Sequence, residues 1–151
     1  MVTDQGLIEG IAHDLLLYRQ HLGASESIKI FADVLVKHAY PLGPTPDISC
    51  IALDTKNRAL ADALIVTGHS TGSAPLICDL QAIQDVLPEC PLLAGSGIDK
   101  NNLSEILEIA DGAIIGTSLK RQGAIENPID VERVREFKTA FTNRVGLIKN
   151  R

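Results

Sequence analysis

The sequence predicts an α/β fold in which a leading helix is followed by four strand–helix units, their parallel strands forming half of a closed (β/α)8 TIM barrel. Three observations predict it. The segments "SIKIFADVLVKH", "DALIVTG", "PLLAGSG" and "DGAIIGTS" are nearly continuous apolar runs, the mark of parallel strands buried on both faces. Each is followed by a loop and then a segment with apolar residues at helical spacing. All four runs end in small or polar residues, at Asp33, Thr67-Gly68, Gly95-Ser96-Gly97 and Gly116-Thr117-Ser118. That suits several strands converging on one ligand-binding mouth, whereas an open doubly wound sheet concentrates its chemistry at one switch point.

The elements follow in order. "LIEGIAHDLLLYRQHL" places Leu7, Ile8, Ile11, Ala12, Leu15, Leu16 and Leu22 on one side of a helix that Gly23 stops. After the first strand, "PLGPTPD" is loop, and Asp47 caps a helix over 48–57. Asp79 or a residue just before it opens a helix ending near Leu87, and Asp99 caps another through Ile109. Asp130 caps the last, from Val131 to about Arg144, with Val134, Phe137 and Phe141 inward and Gly146 behind it. The whole of 1–151 reads as one domain, a leading helix over 1–24 and four βα units over 28–151. "LADALIVTG" from Leu60 and "IADGAIIGT" from Ile109 echo each other 49 residues apart, which suggests a repeated pair of units. The opening at Thr3-Asp4 is a cap and helix, as though the chain entered a barrel just after a strand had ended.

At 151 residues the chain is long enough for one core but short of the roughly 250 residues of a complete barrel. A net charge of -5, with 14 basic residues scattered among 19 acids, argues against a nucleic-acid groove. Cys50, Cys78 and Cys90 form no CxxC pair, so neither a disulfide framework nor a zinc site is expected, and no metal site is assigned. No apolar run approaches the ~20 residues that span a bilayer, and no signal peptide is visible. The expected location is cytoplasmic, or peripheral at a membrane.

Several motifs bear on chemistry. In "FADVLVKH", Asp33 sits late in its strand, with Lys37 and His38 just beyond it over the mouth. A carboxylate, an ammonium and an imidazole at one cavity can transfer protons, and these three are the candidate catalytic residues. Thr67, Gly68 and His69 hold the matching place on the next strand and are candidate ligand-binding residues. "GHSTG" fits the bare GxSxG pattern, but a nucleophile elbow needs a helix at once, and Ser73-Ala74-Pro75 intervene. "GSGIDK" lacks the third glycine of a dinucleotide fingerprint and follows the third readable strand rather than the first.

"VTDQGLIEGIAHDLLLYR", "KIFADVLVKHAYPLG", "RALADALIVTGHSTG", "LLAGSGIDKNNLSEILEIADGAIIGTSLKRQG" and "NPIDVERVREF" together resemble the C-terminal half of the BtpA/SgcQ family, in particular its cyanobacterial BtpA branch. The resemblance runs in order from Val2 to about Phe141 and lacks the family's N-terminal half. It implies that the strands are the fifth to eighth of a (β/α)8 barrel. It also implies a role in biogenesis or stabilisation of photosystem I reaction-centre proteins, peripheral to the thylakoid. "GSGID" and "GTSLK" then occupy the loops after strands seven and eight, where such barrels bind phosphate on backbone N–H groups. Gly95, Ser96, Gly97, Gly116, Thr117 and Ser118 are the candidate ligand-binding residues there, with charge from Lys120 or Arg121. The resemblance brings no catalytic residue set and no cofactor. Three readings stay open: a biogenesis factor with photosystem I proteins as partners, an enzyme on a phosphorylated metabolite or nucleotide, or a truncated inactive homologue. Open strand edges lead us to expect self-association or a missing N-terminal half.

Overall fold

The computed structural model describes residues 1–68 and 72–148, with side chains described up to residue 143. The chain opens on a hairpin of β1 (Val2–Thr3) and β2 (Gly6–Leu7), then α1 (Ala12–His21). Four βα units follow. They are β3 (Phe31–Asp33), a short β4 (Ala39–Tyr40) and α2 (Ile48–Asn57); β5 (Ala63–Thr67) and α3 (Ile77–Val86); β6 (Leu92–Gly95) and α4 (Leu103–Ile106); and β7 (Gly112–Ile114), two 3-10 turns and α5 (Val131–Ile148).

The main sheet is parallel, with order β3-β5-β6-β7. Strands adjacent in sequence are therefore adjacent in space, with no reversal of direction around a first strand. Register assigns the two faces. Ala32, Leu64 and Leu92 align across three strands, as do Val66, Ala94 and Ala113, and these residues belong to the core with Leu80, Ile83, Leu103 and Ile106 from the helices. Leu64, Leu80, Ile83, Leu92, Ile98 and Ile106 are its largest fully buried side chains, each contributing about 1.5–3 kcal/mol. The alternate residues, Asp33, Ile65, Leu93 and Gly112 in one row and Thr67, Gly95 and Ile114 in the next, face the other way. That side is open, with Phe31 57% and Ile114 49% exposed.

The echo found in the sequence has a structural counterpart. Asp62 and Asp111, each just before its strand, accept the backbone N–H at the start of the neighbouring strand, from Ile30 at 2.7 Å and Leu92 at 2.8 Å. Each also returns its own N–H to the carbonyl of that same residue.

Four expectations are corrected. Residues 2–7 form a hairpin rather than helix, because Gly6 turns at φ +120 and Thr3 Oγ1 donates to the Gly6 carbonyl. Leu7, Ile8, Ile11, Leu15 and Leu22, expected inward, are exposed, and α1 buries no residue. The helix after Asp99 shrinks to Leu103–Ile106, since the Asp99 carboxylate holds the Asn101 and Asn102 N–H groups in a turn first. Gly146 lies inside α5 rather than behind it, and Val134 and Phe141 are exposed while Phe137 packs on the core. By contrast, Asp47 caps α2 as expected, accepting from Ser49 N at 2.8 Å.

Candidate functional site: the mouth of the sheet

The C-terminal ends of β6 and β7 lead into two loops that brace each other. Ser96 and Gly97 both take left-handed backbone, at φ +69 and +63. For serine that conformation costs roughly 1 kcal/mol, so the surroundings must hold it. Lys37, from the loop after β3, donates through Nζ to Ser96 Oγ at 3.2 Å. Asn102 Nδ2 donates to the Gly97 carbonyl at 2.9 Å, and its Oδ1 accepts from Asp99 N at 2.9 Å. Across the gap, Ser118 Oγ donates to the Ile98 carbonyl at 2.7 Å, and Arg133 donates to the Ser118 carbonyl at 3.0 Å. Asp130 caps α5 beside them, accepting from Glu132 N at 3.0 Å.

These residues wall a cavity of about 960 Å³. Its lining includes Lys37, Ser96, Gly97, Gly116, Thr117 and Ser118. Of the residues singled out in the sequence, these six are brought together. The glycines in the two loops differ in role. A Cβ on Gly97 would fall 2.2 Å from Ser73 C and Ala74 N, and one on Gly68 2.3 Å from the Ser73 carbonyl, so both lie tight under the 73–74 backbone. A Cβ on Gly95 would meet Thr67 and Ile65 side chains. A Cβ on Gly116 meets nothing within 4 Å, so its backbone is the one of the four open to an approaching group.

Other residues from the sequence reading lie beside the cavity rather than in its wall. Thr67 Oγ1 donates to the Leu35 carbonyl at 3.2 Å, bracing the loop after β3. His38 is exposed with φ +59, and His69 falls outside the described residues. Lys120 reaches the Ile125 carbonyl instead of the cavity. The cations that line it are Lys37, Lys100 and Arg133, with Lys100 paired to Glu136 at 2.6 Å. Lys100 and Arg133 carried no motif; only the fold brings α5 against the GSG loop. Among the described residues no group of three or more His, Cys, Asp or Glu could hold a metal ion.

Asp33, at the end of β3 on the open side of the sheet, is exposed overall, and partial desolvation of its carboxyl shifts its pKa upward, an effect that the nearby Lys37 ammonium opposes. A raised pKa means that the charged form costs stability once pH exceeds the ordinary carboxylate range. Asp33→Asn is therefore expected to raise the midpoint of thermal unfolding at pH 7. The gain should vanish below the unfolded pKa, where both side chains are neutral; equal midpoints for the two proteins at both pH values would contradict it.

A family model described as "BtpA family" matches residues 1–143. The chain belongs to the BtpA family. Among BtpA relatives, the photosystem I biogenesis protein BtpA of Synechocystis is 47% identical over 93% of this chain and 48% of its own length. An uncharacterised protein of Thermococcus kodakarensis is 46% identical over 89% of this chain and 49% of its own. An uncharacterised mitochondrial protein of Caenorhabditis elegans is 39% identical over 90% of this chain and 48% of its own. The chain thus spans about half the length of these curated BtpA relatives. Among the described residues no helix is long and apolar enough to cross a membrane.

Proposed function

We propose that the chain is the C-terminal half of a (β/α)8 barrel and that its mouth binds a small phosphate-bearing molecule. The observation that carries this is the Lys37 ammonium, held on left-handed Ser96 at the rim of a cavity floored by the open Gly116 backbone and Thr117. A phosphate there meets one fixed cation and the backbone N–H groups at the start of a 3-10 turn, with Arg133 behind the turn. The sequential order of parallel strands and the helix-covered core face support the barrel arrangement. Asp33 and Lys37 would be the proton-transfer groups if a reaction follows binding.

Calorimetric titration with inorganic phosphate at low ionic strength tests the site. Lys37→Met removes a charge-assisted hydrogen bond of about 1.5–3 kcal/mol, and should weaken binding roughly ten- to a hundredfold. Equal affinity in the two proteins would overturn the site.

The Synechocystis relative's name, a photosystem I biogenesis protein, favours a second reading, a role in photosystem I biogenesis, which we propose would act through protein contacts. Nearly equal identity to an archaeal relative argues for a chemistry shared beyond photosynthesis. Capture of photosystem I subunits equally by the native chain and Lys37→Met would favour protein contacts away from the mouth.

A further inference from the structure

The mouth cavity is larger than the phosphate proposed for it. Its volume of about 960 Å³ lies at the upper end of the range for small-molecule sites, roughly 300–1,000 Å³. The anion end, at Lys37, Ser96, Gly116 and Thr117, takes up only part of the wall. The rest comes from the loop after β6 and from the segment between the second 3-10 turn (Arg121–Gly123) and the first turns of α5. The body of the ligand has to be sought against these residues.

That segment folds back on the first 3-10 turn (Thr117–Leu119). Lys120 and Ile129 form an antiparallel bridge, Arg121 N donates to the Pro128 carbonyl at 3.0 Å, and Asp130 N donates to the Leu119 carbonyl at 2.8 Å. Asp130 therefore stands, half-buried, beside the turn that meets the phosphate. Its Oδ1 receives the Glu132 and Arg133 N–H groups, and among the described residues nothing donates to its Oδ2. Gln122 takes left-handed backbone at φ +57, a conformation that a side chain adopts only at a cost. Its amide has no protein partner among the described residues. Both residues line the cavity, so the wall offers a carboxylate oxygen and an amide, groups that hydroxyls satisfy as donors and acceptors.

Two other features of this wall bear on the chemistry of the body. Asp99, Asp130, Glu132 and Glu136 outnumber Lys100 and Arg133 on it, so a second phosphate placed there would be repelled. Phe137 is the one aromatic side chain among the described residues of the wall, and it packs on the core. A nucleobase thus finds no free-standing ring on which to stack. Ile114 and Ile125 are exposed there, and suit the C–H faces of a short carbon chain or a sugar ring.

We infer that the ligand is a small polyhydroxylated molecule carrying one phosphate, a sugar or polyol phosphate, whose hydroxyls are read by Asp130 and Gln122. This rests on the phosphate site proposed above, and of the two ligand classes open at the start, phosphorylated metabolite and nucleotide, it selects the first. An ester without hydroxyls is penalised at such a wall, because the carboxylate and the amide then give up water and receive no partner in return.

The test is calorimetric titration of this chain with ribose-5-phosphate, glucose-6-phosphate, ethyl phosphate and adenosine monophosphate. At least one sugar phosphate is expected to bind about tenfold or more tightly than ethyl phosphate. Adenosine monophosphate, which adds a base to ribose-5-phosphate, should bind no more tightly than that sugar phosphate. Asp130→Asn keeps the cap of α5, and Gln122→Gly suits the left-handed backbone. Each should cut the preference for the sugar phosphate over ethyl phosphate by about three- to tenfold. That preference is a ratio measured on one protein, so it does not move with the fraction folded. Equal affinity for ethyl phosphate and both sugar phosphates would overturn the inference and leave the phosphate site standing. So would a preference for adenosine monophosphate over both sugars, or a ratio that neither variant changes. If none of the four esters binds, or Lys37→Met binds them as the native chain does, the phosphate site itself falls and takes this inference with it.

Discussion

Gly97→Ala is expected to destabilise the fold by about 3 kcal/mol or more. The left-handed backbone at φ +63 accounts for roughly 1 kcal/mol of this when a Cβ is added. The rest is collision, since the Cβ would lie 2.2 Å from backbone atoms of Ser73 and Ala74. Backbone cannot rotate away as a side-chain tip can, so the 73–74 segment must lift from the sheet. Gly116→Ala is the comparison, because its Cβ enters open space and meets no backbone, so it should cost clearly less than Gly97→Ala. Urea unfolding of the two variants checks the contrast, and equal losses would mean that Gly97 is there only to turn the chain.

The second large effect is expected at Asp62. Its carboxylate accepts from Ile30 N at 2.7 Å and Arg19 at 2.9 Å, and lies 3.5 Å from the Lys29 ammonium. The Ile30 N–H leads in holding its pKa below the ordinary 3.8, against a burial penalty, with Arg19 and Lys29 adding to it. Asp62→Ala leaves a backbone donor and Arg19 without their acceptor, and should cost about 2–3 kcal/mol. Asp111, whose carboxylate receives the Leu92 N–H, is the natural comparison, and Asp111→Ala should cost less than the same change at Asp62. A depressed folded pKa gives stability that is full above the unfolded value and is lost as pH falls through the folded one. The gap between native chain and Asp62→Ala should therefore hold from neutral pH down to about 4 and shrink further into acid. Chemical unfolding across that range would show it; a gap that persists unchanged at the acid end would contradict the ionic origin.

Much of this architecture was legible because the strands of a parallel sheet read as unbroken apolar runs, although here only one face of the sheet is covered and Phe31 and Ile114 lie exposed on the other. "DALIVTG" and "PLLAGSG" announced β5 and β6, and the Asp62 and Asp111 echo pointed to a real repeated device. The leading helix departs from its sequence pattern for a physical reason. Its apolar spacing is genuine, but spacing tells which residues share a side and not whether anything covers that side. Leu15 and Tyr18 have the pattern of a core face and lie exposed. Local chemistry also overrode periodicity at Gly6 and Asp99, where turns shortened or displaced helices. At the mouth, residue types identified Ser96, Gly116 and Thr117 as a cluster across two loops, because strand ends converge. Sequence alone did not separate Gly97, filled beneath by backbone, from Gly116, open above. That difference depends on where residues 73–74 cross, a tertiary fact with no local signature. Arg133 was invisible for the same reason, being one arginine among several on α5 until the fold brings it to the Ser118 carbonyl.

The most direct test of the anion-binding mouth is a phosphate titration followed by amide chemical shifts in isotopically labelled protein. Saturable shifts concentrated at Ser96, Gly116, Thr117 and Ser118 are expected, and they should be lost in Lys37→Met. Shifts spread over surface lysines without saturation, or none at the ends of β6 and β7, would contradict it.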